Sequence, residues 1–120
     1  MEPTLFVRTA AVLLTITALG GLAMAGIRFA SDKQPPAWLA MLHGLLAGAA
    51  LTLLIFAAAT TGLPGLALGA LVLFLLAALG GVYLNLNYHA KQLLLPKGIV
   101  VGHALVAVVG FVMLVVAALR

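Results

Sequence analysis

Four long apolar stretches separated by three short links constrain what this chain can fold into more than any other feature. They run from Leu5 to Phe29, Ala37 to Thr60, Leu66 to Tyr88 and Gly98 to Leu119. Each reaches the ~20 residues that span the hydrocarbon core of a bilayer as a helix. Inside hydrocarbon the backbone amides have no water to bond, so a continuous helix is the conformation that satisfies them. Two of the links, "ASDKQPPA" and "HAKQLLLPKG", carry charge and proline, whereas "TTGLPGL" is an uncharged turn. Links this short predict an up-down-up-down bundle in which sequence neighbours are antiparallel neighbours in space. The expected fold is therefore an all-α membrane protein with four transmembrane helices in one domain, residues 1–120.

Composition agrees. Of 120 residues, 66% are hydrophobic and 7% charged, against about 45–50% and about 25% in a soluble domain. The chain has no cysteine, which removes disulfides and thiolate metal sites. Its two carboxylates, Glu2 and Asp32, lie near helix ends, so a paired-acid mechanism or a carboxylate proton relay has no residues to work with. No Ser/His/Asp set, phosphate loop or nucleic-acid motif is present, and the formal charge of +4 is spread over short links and ends without forming a binding stripe. "GLAMAG" at residues 21–26 has the look of a signal-cleavage site. It is expected to be retained, because Glu2 lies in the segment before it and because the segment has a later counterpart.

That counterpart comes from an internal match. Residues 18–47 align without a gap on residues 78–107, an offset of 60: Ala18-Leu19-Gly20-Gly21 falls on Ala78-Leu79-Gly80-Gly81, Pro36 on Pro96 and His43 on His103. Leu and Ala identities are common in such sequence, so the ALGG, Pro and His matches carry the register. The expectation is two tandem two-helix repeats, residues 1–60 and 61–120. An even number of spans per repeat makes them parallel repeats, related by a pseudo-two-fold axis along the membrane normal.

The duplication places His43 and His103 at one depth on the second and fourth helices, diagonal in a simple four-helix ring. Each stands seven residues past its proline, about 10 Å into the membrane at 1.5 Å per residue. Small residues follow on the same face, Ala47 and Ala50 after one, Ala107 and Gly110 after the other. Close helix packing is the ordinary use of such residues, and "GLLAG" (44–48) and "GIVVG" (98–102) both have the GxxxG spacing. The adjacent glycines 20–21 and 80–81 weaken a helix by about 1 kcal/mol each relative to Ala, which implies that something approaches the backbone there. A neighbouring helix and a flat cofactor are the two candidates.

Taken together, His43, His103 and the glycine pairs resemble the arrangement of transmembrane b-type cytochromes. That resemblance implies one haem b held between two histidines on different helices, with Gly20, Gly21, Gly80 and Gly81 where the macrocycle meets backbone. Two axial imidazoles fill both positions on haem iron, which favours electron transfer over oxygen binding. Arg28, Lys33, Lys91 and Lys97 lie on the membrane face nearest the histidines, where propionates point to water; Arg28, in the last turn of the first helix, is the best placed to reach inward, and snorkelling at the interface is the plainer role for Lys33 and Lys91. Tyr83, Asn85, Asn87, Tyr88 and His89 belong to one half only, His89 facing Phe29 in the alignment. This polar cluster is a candidate secondary site for a quinone carbonyl or a propionate, against the ordinary interfacial belt.

Three functions remain: an electron-transfer protein or membrane subunit with bis-histidine haem, exchanging electrons with quinone; a structural or assembly subunit whose histidines bond across the bundle; and a transition-metal or proton pathway. The first is an electron carrier or accessory subunit rather than a stand-alone enzyme. The partners expected are the lipid bilayer, quinone, other subunits of a membrane redox complex and further copies of the chain, and not nucleic acid. Arg28, Lys33, Lys91 and Lys97 on one face outnumber Arg8 and Arg120 on the other. The positive-inside rule then puts the charged links in the cytoplasm and both termini in the periplasm, with composition pointing to a bacterial inner membrane.

Overall fold

A computed structural model describes residues 2–120 and contains four long helices and, among the described residues, no strand. Helix α1 spans Pro3–Ala30, α2 Ala37–Ala59, α3 Gly65–Leu84 and α4 Lys97–Leu119. A π-helical turn, Asn85–His89, continues α3. The expected spans and the observed helices agree within one or two residues, except that the third changes helical type four residues before its expected end. All four helices, α3 together with its π turn, are long and apolar enough to cross a membrane, which is the make-up of an integral membrane protein. The bundle measures 44 × 20 × 19 Å, matching the ~40–45 Å of a bilayer with its headgroup layers.

Proline sets the start of each later helix. Pro36, Pro64 and Pro96 stand immediately before α2, α3 and α4 with extended ψ. Proline has its φ already fixed and has no N–H to leave unpaired at a helix start. Their carbonyls receive the first helical bonds, from Ala40 (3.2 Å), Leu68 (2.9 Å) and Val100 (3.0 Å). Left-handed residues set the ends of α2 and of α3 with its π turn. Gly62 has φ 83° and its N–H returns to the Ala57 carbonyl. Gln92 has φ 57°, with Leu93 N–H bonded to Tyr88 O and Gln92 N–H to His89 O, the paired bonds of a Schellman stop.

The two most extensive interfaces are α1 on α2 and α3 on α4; α4 also packs on α1, and α2 more sparsely on α3. The buried apolar cluster is confined to one half of the length. It joins the start of α1 (Val7, Ala10, Leu14) and the end of α2 (Ala50, Leu54) to the start of α3 (Ala67, Ala70, Phe74) and the end of α4 (Leu114, Ala117). Arg8 closes that end by donating from Nε to the Ala118 carbonyl at 3.3 Å. The outside is as apolar as the inside: Leu19, Leu45, Leu79 and Leu105 are 63%, 68%, 69% and 61% exposed, a surface suited to lipid rather than water.

The GxxxG glycines do not serve packing within the chain. A Cβ at Gly44, Gly48, Gly98 or Gly102 would meet nothing within 4 Å, whereas one at Gly110 would stand 3.3 Å from both Leu73 Cβ and Phe74 Cε1. The GxxxG spacing by itself did not tell that its glycines face outward, and Gly110, which is pressed on α3, lies outside that motif. Gly110→Leu should therefore wedge α4 from α3 and lower the melting temperature in detergent, with an overpacking cost of about 1–3 kcal/mol. Gly102→Leu should leave melting nearly unchanged, and equal effects of the two would contradict this packing.

Candidate functional site

The half of the bundle opposite the apolar cluster holds the histidines. His43 on α2 places Nδ1 2.8 Å from the Thr17 carbonyl of α1, and His103 on α4 places Nδ1 2.8 Å from the Ala77 carbonyl of α3. A carbonyl can only accept, so each Nδ1 carries the proton and, in the neutral ring, each Nε2 carries the free lone pair. The bond thus determines which nitrogen is available to a ligand. Among the described residues neither Nε2 has a hydrogen-bond partner of its own.

Glycine makes these bonds accessible. The Cα–Cβ bond of a helical residue tilts toward the N-terminus, so a side chain lies over the preceding turn and the carbonyl four residues back. Thr17 and Ala77 are the residues four before Gly21 and Gly81. With no Cβ there, the imidazole lies against the helix backbone and reaches the carbonyl. A Cβ at Gly21 would be 2.9 Å from His43 Cε1 and 3.3 Å from its Nδ1, and one at Gly81 would be 3.2 Å from His103 Cε1. Gly20 and Gly80 are less confined: their nearest contacts would be 3.9 Å, to His43 Cβ and Leu39 Cδ1, and 3.6 Å, to His103 Nδ1. The flat group lying on the glycines is therefore the imidazole of the same hairpin.

The rings of His43 and His103 face one another across the bundle with centroids 6.3 Å apart and planes crossing at 66°. Two imidazoles that bind one transition metal through a nitrogen each, at about 2.0–2.1 Å, have ring centres about 6 Å apart. The two imidazoles, each tied back through Nδ1, thus stand at the ring separation that one shared metal would give them.

Toward the charged links, Arg28 is 9% exposed although it is ionised. Its Nε donates to Leu95 O at 2.8 Å, and Nη1 stands 3.6 Å from Asp32 Oδ1. Nη1 is buried without a hydrogen-bond partner. Seven residues separate Arg28 from Gly21, two helical turns on the same face and about 10 Å along the axis. Lys97 Nζ lies 5.5 Å from the centre of the Phe29 ring, a cation–π contact between α4 and α1.

The polar segment present in one half only behaves differently from its counterpart. Where α1 continues as regular helix to Ala30, the chain from Asn85 widens into the π turn, with Ala90 N–H bonded to Asn85 O at 2.7 Å. One extra residue in a turn rotates the later residues by about 100° around the helix axis. Asn87 Nδ2 bonds the Tyr83 carbonyl at 3.1 Å, and the Tyr83 and Tyr88 rings stack edge to face at 6.0 Å. Tyr83 and Asn85 are exposed. His89 instead donates from Nε2 to the Pro35 carbonyl at 2.8 Å. Gln34 Nε2 bonds Leu93 O nearby. Among the described residues no three His, Cys, Asp or Glu side chains gather as a metal site, so His89 stands apart from the other two.

Sequence reasoning missed the backbone acceptors. The repeated separation of 26 residues, 17 to 43 and 77 to 103, was the signal, but a carbonyl has no letter in the sequence. Pro35, whose side chain is fully buried between the links, was missed for the same reason. No protein-family profile, curated protein or solved structure matches the chain. The site therefore has to be read from its own geometry.

His89→Ala should remove one of the bonds that join the two charged links, a loss of about 1 kcal/mol in stability. The His43–His103 pair should keep its geometry. Trypsin cleavage at Lys33 and Lys91 in detergent is expected to speed up, and unchanged cleavage would deny His89 this fastening role.

Proposed function

We propose that this chain is a small integral-membrane electron-transfer protein, or the membrane subunit of a redox complex, that holds one haem b between His43 and His103. The observation that carries the reading is the opposed pair of imidazoles, each tied back through Nδ1 to a backbone carbonyl. Metal-ligating histidines typically donate their other ring N–H to such an acceptor, which orients the ring and raises its basicity. A bound haem would supply one-electron exchange between ferric and ferrous iron, and His43 and His103 would be the residues that hold it.

Nη1 of Arg28, which has the Asp32 carboxylate at 3.6 Å but no hydrogen bond, supports the fit. A buried guanidinium nitrogen without a hydrogen bond is costly, and a propionate carboxylate is the acceptor that the haem would bring to this side. Lys97, held over Phe29, is the second cation on that side. Gly21 and Gly81 hold the imidazoles, while Gly20 and Gly80 flank them. Quinone is the proposed exchange partner in the membrane, with the segment Tyr83, Asn85, Asn87 and His89 as its candidate contact. Other subunits of a redox complex and further copies of the chain are proposed neighbours.

We read the two hairpins, residues 1–60 and 61–120, as parallel tandem repeats about an axis along the membrane normal. Matched bonds of 2.8 Å at His43 and His103, and matched contacts at Gly21 and Gly81, support that reading. A second reading, a structural or assembly subunit, draws on the same contacts, because an imidazole bonded to the neighbouring helix already fastens α2 to α1 and α4 to α3.

Absorption spectra separate the two. Protein expressed with ample haem should purify coloured and show a sharpened alpha band on reduction, and His43→Ala or His103→Ala should each abolish haem retention. Colourless wild-type protein that takes up no haem on reconstitution would leave the structural reading in place. The charged links are proposed to face the cytoplasm and the termini the periplasm of a bacterial inner membrane, from the excess of four cations over two. A C-terminal alkaline phosphatase fusion should then be active and a C-terminal green fluorescent protein fusion dark; the opposite pattern reverses the topology.

A further inference from the structure

We infer that Gly21 and Gly81 are positioning residues that set the tautomer, the free nitrogen and the plane of the His43 and His103 rings, by leaving the carbonyl four residues earlier open to an Nδ1–H. The part of this inference that concerns iron rests on the haem reading above; the part that concerns the imidazoles does not.

The glycines of each pair are distinguished by distance. At Gly21 an added Cβ would press on His43 Cε1 at 2.9 Å and on Nδ1 at 3.3 Å, and at Gly81 on His103 Cε1 at 3.2 Å. Real Cβ atoms essentially never come as close as the first of these, and the contact at Gly81 is tight. Backbone contact from the helix itself leaves the ring as the group that yields. A ring displaced from Gly21 moves Nδ1 away from Thr17 O, and the bond of 2.8 Å is the only polar contact the ring makes among the described residues. With that bond gone, the ring loses what holds the proton on Nδ1 and reverts toward the Nε2–H form that an unbonded neutral histidine favours. At Gly20 and Gly80 the same addition meets its nearest neighbours at 3.9 Å and 3.6 Å, ordinary van der Waals contact. A generic weakening of the helix by glycine would make the two members of a pair equivalent, since each has the same propensity. The contacts at the ring make only the second member decisive.

The glycines also fix how the rings stand to one another. Each ring lies against its own hairpin's first helix, and the two planes cross at 66°. Axial imidazoles crossed toward perpendicular leave the two iron d orbitals of π type nearly equal in energy. A ferric centre so ligated shows one dominant large g value in electron paramagnetic resonance, where parallel rings give three well-resolved values. A hydrogen bond from Nδ1 also adds electron density to the ligand and favours ferric iron. Loss of that bond therefore raises the midpoint potential.

The test uses the full chain in detergent with histidine labelled in both ring nitrogens. In apoprotein, two-bond nitrogen–proton correlation spectra should show His43 and His103 in the Nδ1–H form. Gly21→Ala should shift His43 alone out of that form, Gly81→Ala should shift His103 alone and by less, and Gly20→Ala and Gly80→Ala should leave both in place. Wild-type rings in the Nε2–H form would overturn the inference, as would equal effects of Gly20→Ala and Gly21→Ala. In haem-loaded protein, the wild type should show the single large g value, and Gly21→Ala should shift the g value and raise the midpoint potential while haem stays bound. Three well-resolved g values in the wild type would overturn the assignment of the ring planes. Absence of haem from the wild type with the apoprotein pattern intact would count against the haem reading alone and leave the positioning role standing.

Discussion

The bond from a histidine Nδ1–H to a helix carbonyl organises the site half of this bundle. An imidazole in an apolar span carries a donor and an acceptor that lipid cannot satisfy. Thr17 and Ala77 provide the acceptor, although in a helix each carbonyl is already engaged with the amide four residues on. A carbonyl oxygen has two lone pairs, and glycine at that fourth residue exposes the second. One missing methyl group at Gly21 and another at Gly81 thus determine where a ring can lie, which nitrogen it protonates and which nitrogen it presents across the bundle.

The rest of the molecule divides its work along its length. One half is packed with Val7, Leu14, Leu54, Phe74 and Leu114 around small residues. In a bilayer, burial from water contributes little to holding spans together, so close contact and a few hydrogen bonds must do it. The other half trades that packing for the histidines and for bonds between links. Arg28 to Leu95, Gln34 to Leu93 and His89 to Pro35 tie side chains of one hairpin to the backbone of the other. These bonds join the hairpins where the apolar core does not reach, and they hold the charged links over the histidine half.

The asymmetry between the hairpins falls where the links meet. Asn85 to His89 form a π turn, while the matching end of α1 stays regular and presents Arg28 inward. The same end of the bundle thus receives a buried cation from one hairpin and a hydrogen-bonded imidazole from the other. The His43 and His103 pair, bonded alike to its two hairpins, thus lies beneath an end at which the two hairpins differ.

The spans, their ends and the exclusions were legible in the sequence, because hydrocarbon leaves an apolar segment of this length few conformations and proline marks the helix starts. That His43 comes to stand beside His103 was legible too, since a gapless offset of 60 pairs the two letters. What the glycines touch was not: "GG" announces a close approach without saying to what, and the imidazole was as consistent with it as a macrocycle. Nor did the GxxxG spacing tell that Gly44, Gly48, Gly98 and Gly102 face outward, where an added Cβ would meet nothing within 4 Å. The role of His89 was likewise hidden, because a π turn rotates the residues after it and its acceptor is a backbone oxygen. The sequence by itself determined that the chain is helical and apolar and which side chains carry polar chemistry. The tertiary structure decided which atoms meet, because carbonyl lone pairs, ring planes and the space left by an absent Cβ exist only once the helices are side by side.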